Sequence, residues 1–123
     1  MGQAIPYKPI ALVVEDEELQ REMIVVLLEE SNMKVIACES AEAAVSVLDS
    51  IGEALSLMFT DINLAGTMTG VELAHLAKRR YPRLHVLVTS GGVRDAHLPP
   101  GARFLQKPWM PLDVLREAER AQR

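Results

Sequence analysis

Five short apolar runs, four of them followed by a stretch with helical periodicity, limit what this 123-residue chain can fold into. The runs fall at about 10–15, 34–38, 56–60, 85–89 and 103–106. They are too short for buried helices and most are rich in β-branched residues, so they read as strands. A first helix is expected over about 17–30, with Leu19, Met23, Val26 and Leu27 facing inward, and a second over about 41–51, with Ala41, Ala44, Val45 and Leu48. A third, over about 70–80, carries Leu73, Ala74 and Ala77 and stops before Pro82. The last, about 111–122, opens on Pro111 and shows Leu112, Leu115 and Ala118. Ser40 suits an N-cap and Gly52 a helix stop. Strands alternating with helices predict right-handed βαβ units and a parallel sheet covered on both faces.

The fourth connection is short. Only 11 residues, Gly91 to Gly101, separate Ser90 from Ala102, and they include Gly91-Gly92 and Pro99-Pro100. A helix there is limited to about two turns within 93–98.

Residues 1–9 contain two prolines and no periodic pattern, so they read as a flexible leader before one domain over 10–123. An apolar fraction of 49% argues against disorder, while no apolar run approaches the roughly 18 residues of a membrane span. No basic start precedes an apolar block, so no signal peptide is expected. Cys38 is the only cysteine, which excludes an intrachain disulfide and fits a strand residue in a reducing cytoplasm. Net charge is −4, divided between residues 1–61 (3 basic, 12 acidic) and 62–123 (10 basic, 5 acidic). An acidic first half suits a cation binder. The run Lys78-Arg79-Arg80 with Arg83 stands where a helix ends, so it reads as helix-end capping rather than a nucleic-acid patch.

Polar residues close four of the runs. Glu15-Asp16 follow Ala11-Leu12-Val13-Val14, Asp61 follows Leu57-Met58-Phe59-Thr60, Thr89-Ser90 close Val86-Leu87-Val88, and Lys107-Pro108 follow Phe104-Leu105-Gln106. Strand C-termini of a parallel sheet lie along one edge, where open α/β sheets place their ligand crevice. Three carboxylates, a hydroxyl and an ammonium therefore converge. From about Ile10 to the C-terminus these residues resemble a response-regulator receiver domain, the phospho-accepting module of bacterial two-component signalling.

The resemblance implies a flavodoxin-like three-layer sandwich with strand order 2-1-3-4-5 and a shortened fourth helix. It implies that Asp61 accepts a phosphoryl group from a phosphohistidine, with Mg²⁺ held by Glu15, Asp16, Asp61 and the backbone carbonyl of Asn63. Lys107 would pair with Asp61 or the phosphoryl group, and its bond to Pro108 is cis in the family. Thr89 would hydrogen-bond a phosphoryl oxygen, and Phe104 occupies the aromatic switch position. The domain would promote its own phosphorylation and dephosphorylation without being a conventional enzyme. Its partners would be a sensor histidine kinase or histidine phosphotransfer protein and a downstream protein target, with no nucleic acid and no membrane, and a homodimer left open. Trp109, two residues from Lys107, should sense the site. No output domain is expected after the last helix, in a free-standing regulator or a piece of a longer one.

The chain departs from the family pattern at several points. Glu15 replaces the usual aspartate and can reach Mg²⁺ directly or through water. Ala65 stands where proline is common, and Asp61 to Gly70 is one residue longer than the commonest spacing. Glu15 and the short fourth connection sustain a second reading, a receiver-like binding module without the phosphate switch. A flavin or nucleotide binder has no fingerprint here: Ser90-Gly91-Gly92 lacks the Gly-Lys-Ser/Thr of a phosphate loop, and Gly66 and Gly70 do not form a dinucleotide motif. His75, His85 and His97 lack zinc-ligand spacing.

Overall fold

The computed structural model describes residues 7–92 and 97–123. The expected short helix in the fourth connection and most of the leader lie outside the described residues. The strands are β1 (Ile10–Val14), β2 (Lys34–Cys38), β3 (Leu55–Asp61), β4 (His85–Ser90) and β5 (Arg103–Gln106). They form one parallel sheet in the order β2-β1-β3-β4-β5. The described helices are α1 (Glu18–Glu30), α2 (Ala41–Ile51), α3 (Gly70–Arg80) and α4 (Pro111–Ala121).

Successive strand residues feed opposite faces, so the central strands must be apolar throughout. Leu12, Val14, Met58, Val86 and Val88 meet Ala41, Ala44 and Leu48 of α2 and Leu73, Ala74 and Ala77 of α3. Ala11, Val13, Leu57, Phe59 and Leu87 meet Ile24 and Leu28 of α1 and Val114 and Ala118 of α4. This is the parallel sheet covered on both faces that the alternation predicts, in the flavodoxin-like strand order that the resemblance implies. Ser40 caps α2 by accepting from the Ala43 N–H at 3.1 Å. Lys78 at the end of α3 donates to the carbonyls of Pro82 and Leu84, both at 2.9 Å, and Arg80 pairs with Asp49.

Two helices bury a face shifted from the expected one, although Leu27 of α1 and Ala118 of α4 pack inward as expected. In α1, Leu19, Met23 and Val26 are 73%, 50% and 52% exposed, while Ile24 and Leu28 are buried. Met23 to Leu28 are all apolar, so periodicity alone leaves the phase open; polar anchors decide it. Arg21 Nη1 donates to the Glu15 carbonyl at 3.0 Å, and Gln20 accepts from Lys107 at 2.8 Å. In α4, Leu112 is exposed and Val114, Glu117 and Ala118 are buried. Glu117 can face inward because Arg103 Nε, Arg120 Nη1 and His85 Nε2 lie 2.7, 2.9 and 3.0 Å from its carboxylate.

Two glycines are required by close approach. Gly52, at the end of α2, has right-handed φ and ψ, so it is not a left-handed stop. A Cβ there would lie 2.2 Å from the Tyr81 ring, whose hydroxyl donates to the Leu48 carbonyl. Gly70 opens α3 against the β3 end, and its N–H donates to the Ile62 carbonyl at 2.9 Å. A Cβ at Gly70 would stand 1.9 Å from the Asp61 carbonyl oxygen. Backbone cannot yield as a side chain can, so Gly70→Ala is expected to destabilise the protein by about 2 kcal/mol or more. Urea unfolding checks this; a change within about 0.5 kcal/mol, the range of an ordinary surface substitution, would show that the α3 start adjusts freely.

Candidate phosphoacceptor site

The sheet's hydrogen-bond ladder continues past the strands and brings their polar ends level. Glu15 N–H donates to the Cys38 carbonyl at 3.0 Å, Ile62 N–H to Thr89 at 2.9 Å, and Lys107 N–H to Ser90 at 2.9 Å. Asp61 is the register partner of Thr89, and Thr89 of Leu105. Glu15 and Asp61 are buried, at 2% and 6% exposure.

Lys107 gathers the centre. Its Nζ donates to Asp61 Oδ2 and, at 2.8 Å, to Gln20 Oε1, and lies 3.6 Å from Glu15 Oε1. The Lys107–Pro108 peptide is cis. The second Asp61 oxygen, Oδ1, accepts from the Asn63 N–H at 2.9 Å. Asp16 is exposed, and its Oδ2 accepts from the Ala65 N–H at 3.1 Å. The Thr89 hydroxyl donates to the Leu105 carbonyl at 2.6 Å. Phe104 is half-buried on β5. Trp109 packs edge-on against Phe59, with centroids 6.1 Å apart, and lines a cleft of about 450 Å³ with Gln20, Met23, Gly91, Lys107 and Pro108.

Glu15 carries the electrostatic tension. Burial pushes its carboxyl up to about 7, opposed by the Glu17 N–H; the charge of Asp61 raises it further and Lys107 lowers it. Oε2 accepts from Glu17 N–H at 3.1 Å, while Oε1 is buried without a hydrogen-bond donor. One ammonium thus serves two buried carboxylates. Among the described residues, no three acidic, histidine or cysteine side chains are placed as a ready metal cage. Mg²⁺ does not require one, since it keeps several waters and takes one or two carboxylates. The orphaned Glu15 oxygen beside Asp61 and Asp16 fits such a cation.

Two polar supports escaped the sequence reading. Gln20 reads as a solvent-facing helix residue, yet it holds Lys107. Glu42, in the first turn of α2, reads as a complement to the helix dipole. Its carboxylate accepts from Thr67 N–H at 3.2 Å, Thr67 Oγ1 at 3.0 Å and Met68 N–H at 2.9 Å, pinning the β3–α3 loop. Hydrogen bonds from its own backbone, Met68 and Thr67 hold this carboxyl below the usual range. No local motif distinguishes either residue, because each partner is distant in sequence.

The chain belongs to the response regulator receiver domain family, whose model matches residues 11–118. It is 41% identical over 85 residues to the response regulator protein FleR of Pseudomonas aeruginosa, an alignment covering 68% of this chain and 17% of that protein. The chain therefore spans only a small part of that relative's length. The receiver domain of NtrX from Brucella abortus is 28% identical with a TM-score of 0.79, over 90% of this chain and 96% of that one. A receiver protein from Sinorhizobium medicae shares the fold at 21% identity, with a TM-score of 0.86 over 93% and 94% of the two chains.

Glu15 imposes a pH dependence on stability. Its carboxyl sits near 7 in the folded chain against an ordinary 4.5. Between those values the folded state keeps a proton that the unfolded state has released, so stability is full below about pH 4.5 and falls as pH rises through 7. In Mg²⁺-free buffer, Glu15→Gln should remove this decline. It should be more stable than wild type at pH 8, by on the order of 2 kcal/mol, and little different at pH 4.5. Urea unfolding at the two pH values checks this; an equal effect at both would remove Glu15 titration as the cause.

Proposed function

We propose that this chain is a phospho-accepting receiver, in which Asp61 takes a phosphoryl group from a phosphohistidine in a Mg²⁺-dependent reaction and thereby switches protein contacts. The observation that carries this reading is the Lys107 ammonium bonded to Asp61 while a buried Glu15 oxygen beside it lacks a donor. Phosphoryl transfer asks a protein mainly for in-line positioning and for charge to balance the equatorial oxygens. An Asp61 oxygen attacks phosphorus, the phosphorus–nitrogen bond breaks, and its electron pair leaves with the imidazole. Lys107 supplies one positive charge there. Mg²⁺, held by Glu15, Asp16, Asp61 and the Asn63 carbonyl, would supply the rest. Attack by water on the same phosphorus returns the electron pair to Asp61, so the domain also promotes its own dephosphorylation.

Thr89 gives the readout. Donating to a phosphoryl oxygen requires its hydroxyl to leave the Leu105 carbonyl, which changes the tie between β4 and β5 beside Phe104. The donor is a sensor histidine kinase or histidine phosphotransfer protein, and the target of the switched face is another protein. Exposed Leu19 and Met23, with the Trp109 cleft beside the site, provide apolar surface for the donor to dock on. The reducing cytoplasm is the compartment this reading requires. A receiver-like binding module without the switch is the alternative, and a phosphodonor separates the two.

Incubation with Mg²⁺ and a small acyl phosphate should add the mass of one phosphoryl group to the wild type and none to Asp61→Asn. An unmodified wild type would favour the binding module, and a gain that survives in Asp61→Asn would assign the acceptor elsewhere. Trp109 shares a cleft with Lys107, so its fluorescence should change with Mg²⁺ or with a beryllofluoride mimic of the phosphoryl group. Asp16→Asn should weaken the Mg²⁺ response severalfold by removing a ligand. An unaltered spectrum at saturation, with binding shown by calorimetry, would mean that Trp109 does not report the site.

A further inference from the structure

The Lys107 ammonium is held from two sides. Asp61 is the partner that the acid–lysine chemistry demands; Gln20, whose Oε1 accepts from the same nitrogen at 2.8 Å, is not. We propose that Gln20 is a positioning residue for phosphoryl transfer, acting through Lys107, an inference that rests on the reading of Asp61 as the phosphoacceptor.

Lysine is a point charge on a flexible four-carbon stem, and holding it in one place costs rotamer entropy. Here the stem runs along a cleft of about 450 Å³, open to solvent, between Gln20 and Met23 on α1 and Gly91, Pro108 and Trp109. The side chain is 21% exposed, so the ammonium has an outward route to water. Gln20 closes that route with an acceptor. It sits on the first turn of α1, where its own N–H donates to the Glu17 carboxylate at 2.9 Å, so the acceptor is carried on a capped helix rather than a loop. Its neutrality matters: a carboxylate here would compete with Asp61 and the phosphoryl group for the ammonium. A neutral oxygen occupies one of the three ammonium donors and leaves another for Asp61, with Glu15 Oε1 3.6 Å away as an ion-pair neighbour that receives no hydrogen bond.

Two reactions use the same ammonium. In phosphorylation by an acyl phosphate, an Asp61 oxygen bonds to phosphorus as the donor's phosphorus–oxygen bond breaks, and the electron pair leaves with the carboxylate. In hydrolysis, a water oxygen bonds to phosphorus as the bond to Asp61 breaks. The pair returns to Asp61, and the water's proton passes to phosphate or solvent. Both transition states place charge on the equatorial oxygens. Loss of lysine positioning should therefore slow both steps together, whereas a residue that merely screened water would accelerate hydrolysis alone when removed.

The test compares wild type, Gln20→Met, Lys107→Ala and the double variant with acetyl phosphate and Mg²⁺, reading phosphorylation and loss by intact mass. Gln20→Met keeps the length and removes the acceptor. It should slow both rates about three- to tenfold, as expected for one hydrogen bond, and have no further effect in the Lys107→Ala background. In the resting protein, the ¹⁵N signal of the Lys107 ammonium should be resolved in wild type and exchange-broadened in Gln20→Met. Unchanged rates, faster hydrolysis alone, or an effect that persists without Lys107 would each overturn the proposal. If the wild type gains no phosphoryl group, the phosphoacceptor reading fails by itself, and the ammonium signal still decides whether Gln20 holds Lys107.

Discussion

Two carboxylates closed off from water, with one ammonium between them, are the constraint on which the rest of this structure turns. Unlike charges about 4 Å apart attract by roughly 4 kcal/mol at an effective dielectric of 20, and like charges repel by as much. Glu15 and Asp61 cannot both ionise comfortably on Lys107 alone, which is why burial and the neighbouring acid raise Glu15. Such a centre persists only if the surrounding fold is stable without it. The apolar strands supply that stability: Ala11 to Val14 and Leu57 to Phe59 are almost wholly buried, and their polar continuations have nowhere to go but the sheet edge. The energy is spent in the core and the tension is held at the edge.

The β3–α3 loop shows how polar groups keep that edge in place. Its N–H groups are taken up by side chains from elsewhere, Asp16 at Ala65 and Glu42 at Thr67 and Met68. Thr69 and Glu72 close a capping box at the start of α3, and Gly70 lets that start lie against the Asp61 backbone. Under the proposed Mg²⁺ binding Asp16 would divide its oxygens, Oδ2 on the Ala65 N–H and Oδ1 free for the cation. Glu42 needs no such division, and its several hydrogen bonds hold the loop whatever Asp16 does.

The parts of this arrangement legible in the sequence were those set by short-range rules. Strand positions, the N-cap at Ser40, the end of α3 before Pro82 and the polar residues after β1, β3, β4 and β5 all follow from neighbours in the chain. What was not legible depended on distant partners. The phase of α1 was hidden because Met23 to Leu28 are uniformly apolar, and only Gln20 and Arg21, through Lys107 and Glu15, select the inward face. Glu117 reads as a surface residue until Arg103, His85 and Arg120 are known to surround it. Gly52 suggests a helix stop, yet its need arises from Tyr81, nearly thirty residues later.

Glu117 also bears on how a local charge could reach the surface. The edge strand β5 has four residues, none fully buried. Its first residue, Arg103, is tied to Glu117 of α4, and its third, Leu105, accepts from Thr89. Beyond the ladder that β5 shares with β4, its side-chain ties are a charge-assisted contact at one end and a neutral hydrogen bond from Thr89 at the other, so the Thr89 tie can change while β5 stays attached to β4 and α4. A neutral bond contributes about 1 kcal/mol and one to a charged acceptor about 1.5–3. Under the proposed phosphorylation, exchanging the Leu105 carbonyl for a phosphoryl oxygen would favour the moved Thr89 by on the order of 1–2 kcal/mol. That corresponds to roughly a five- to thirtyfold change in population. This suffices to invert an equilibrium resting a few-fold toward the present state and is too small to invert one resting a hundredfold, so the proposed switch requires a fine resting balance around Thr89 and Phe104. A short, partly exposed edge strand, whose Thr89 tie can be exchanged without breaking its ladder to β4, is a place where such a balance can exist.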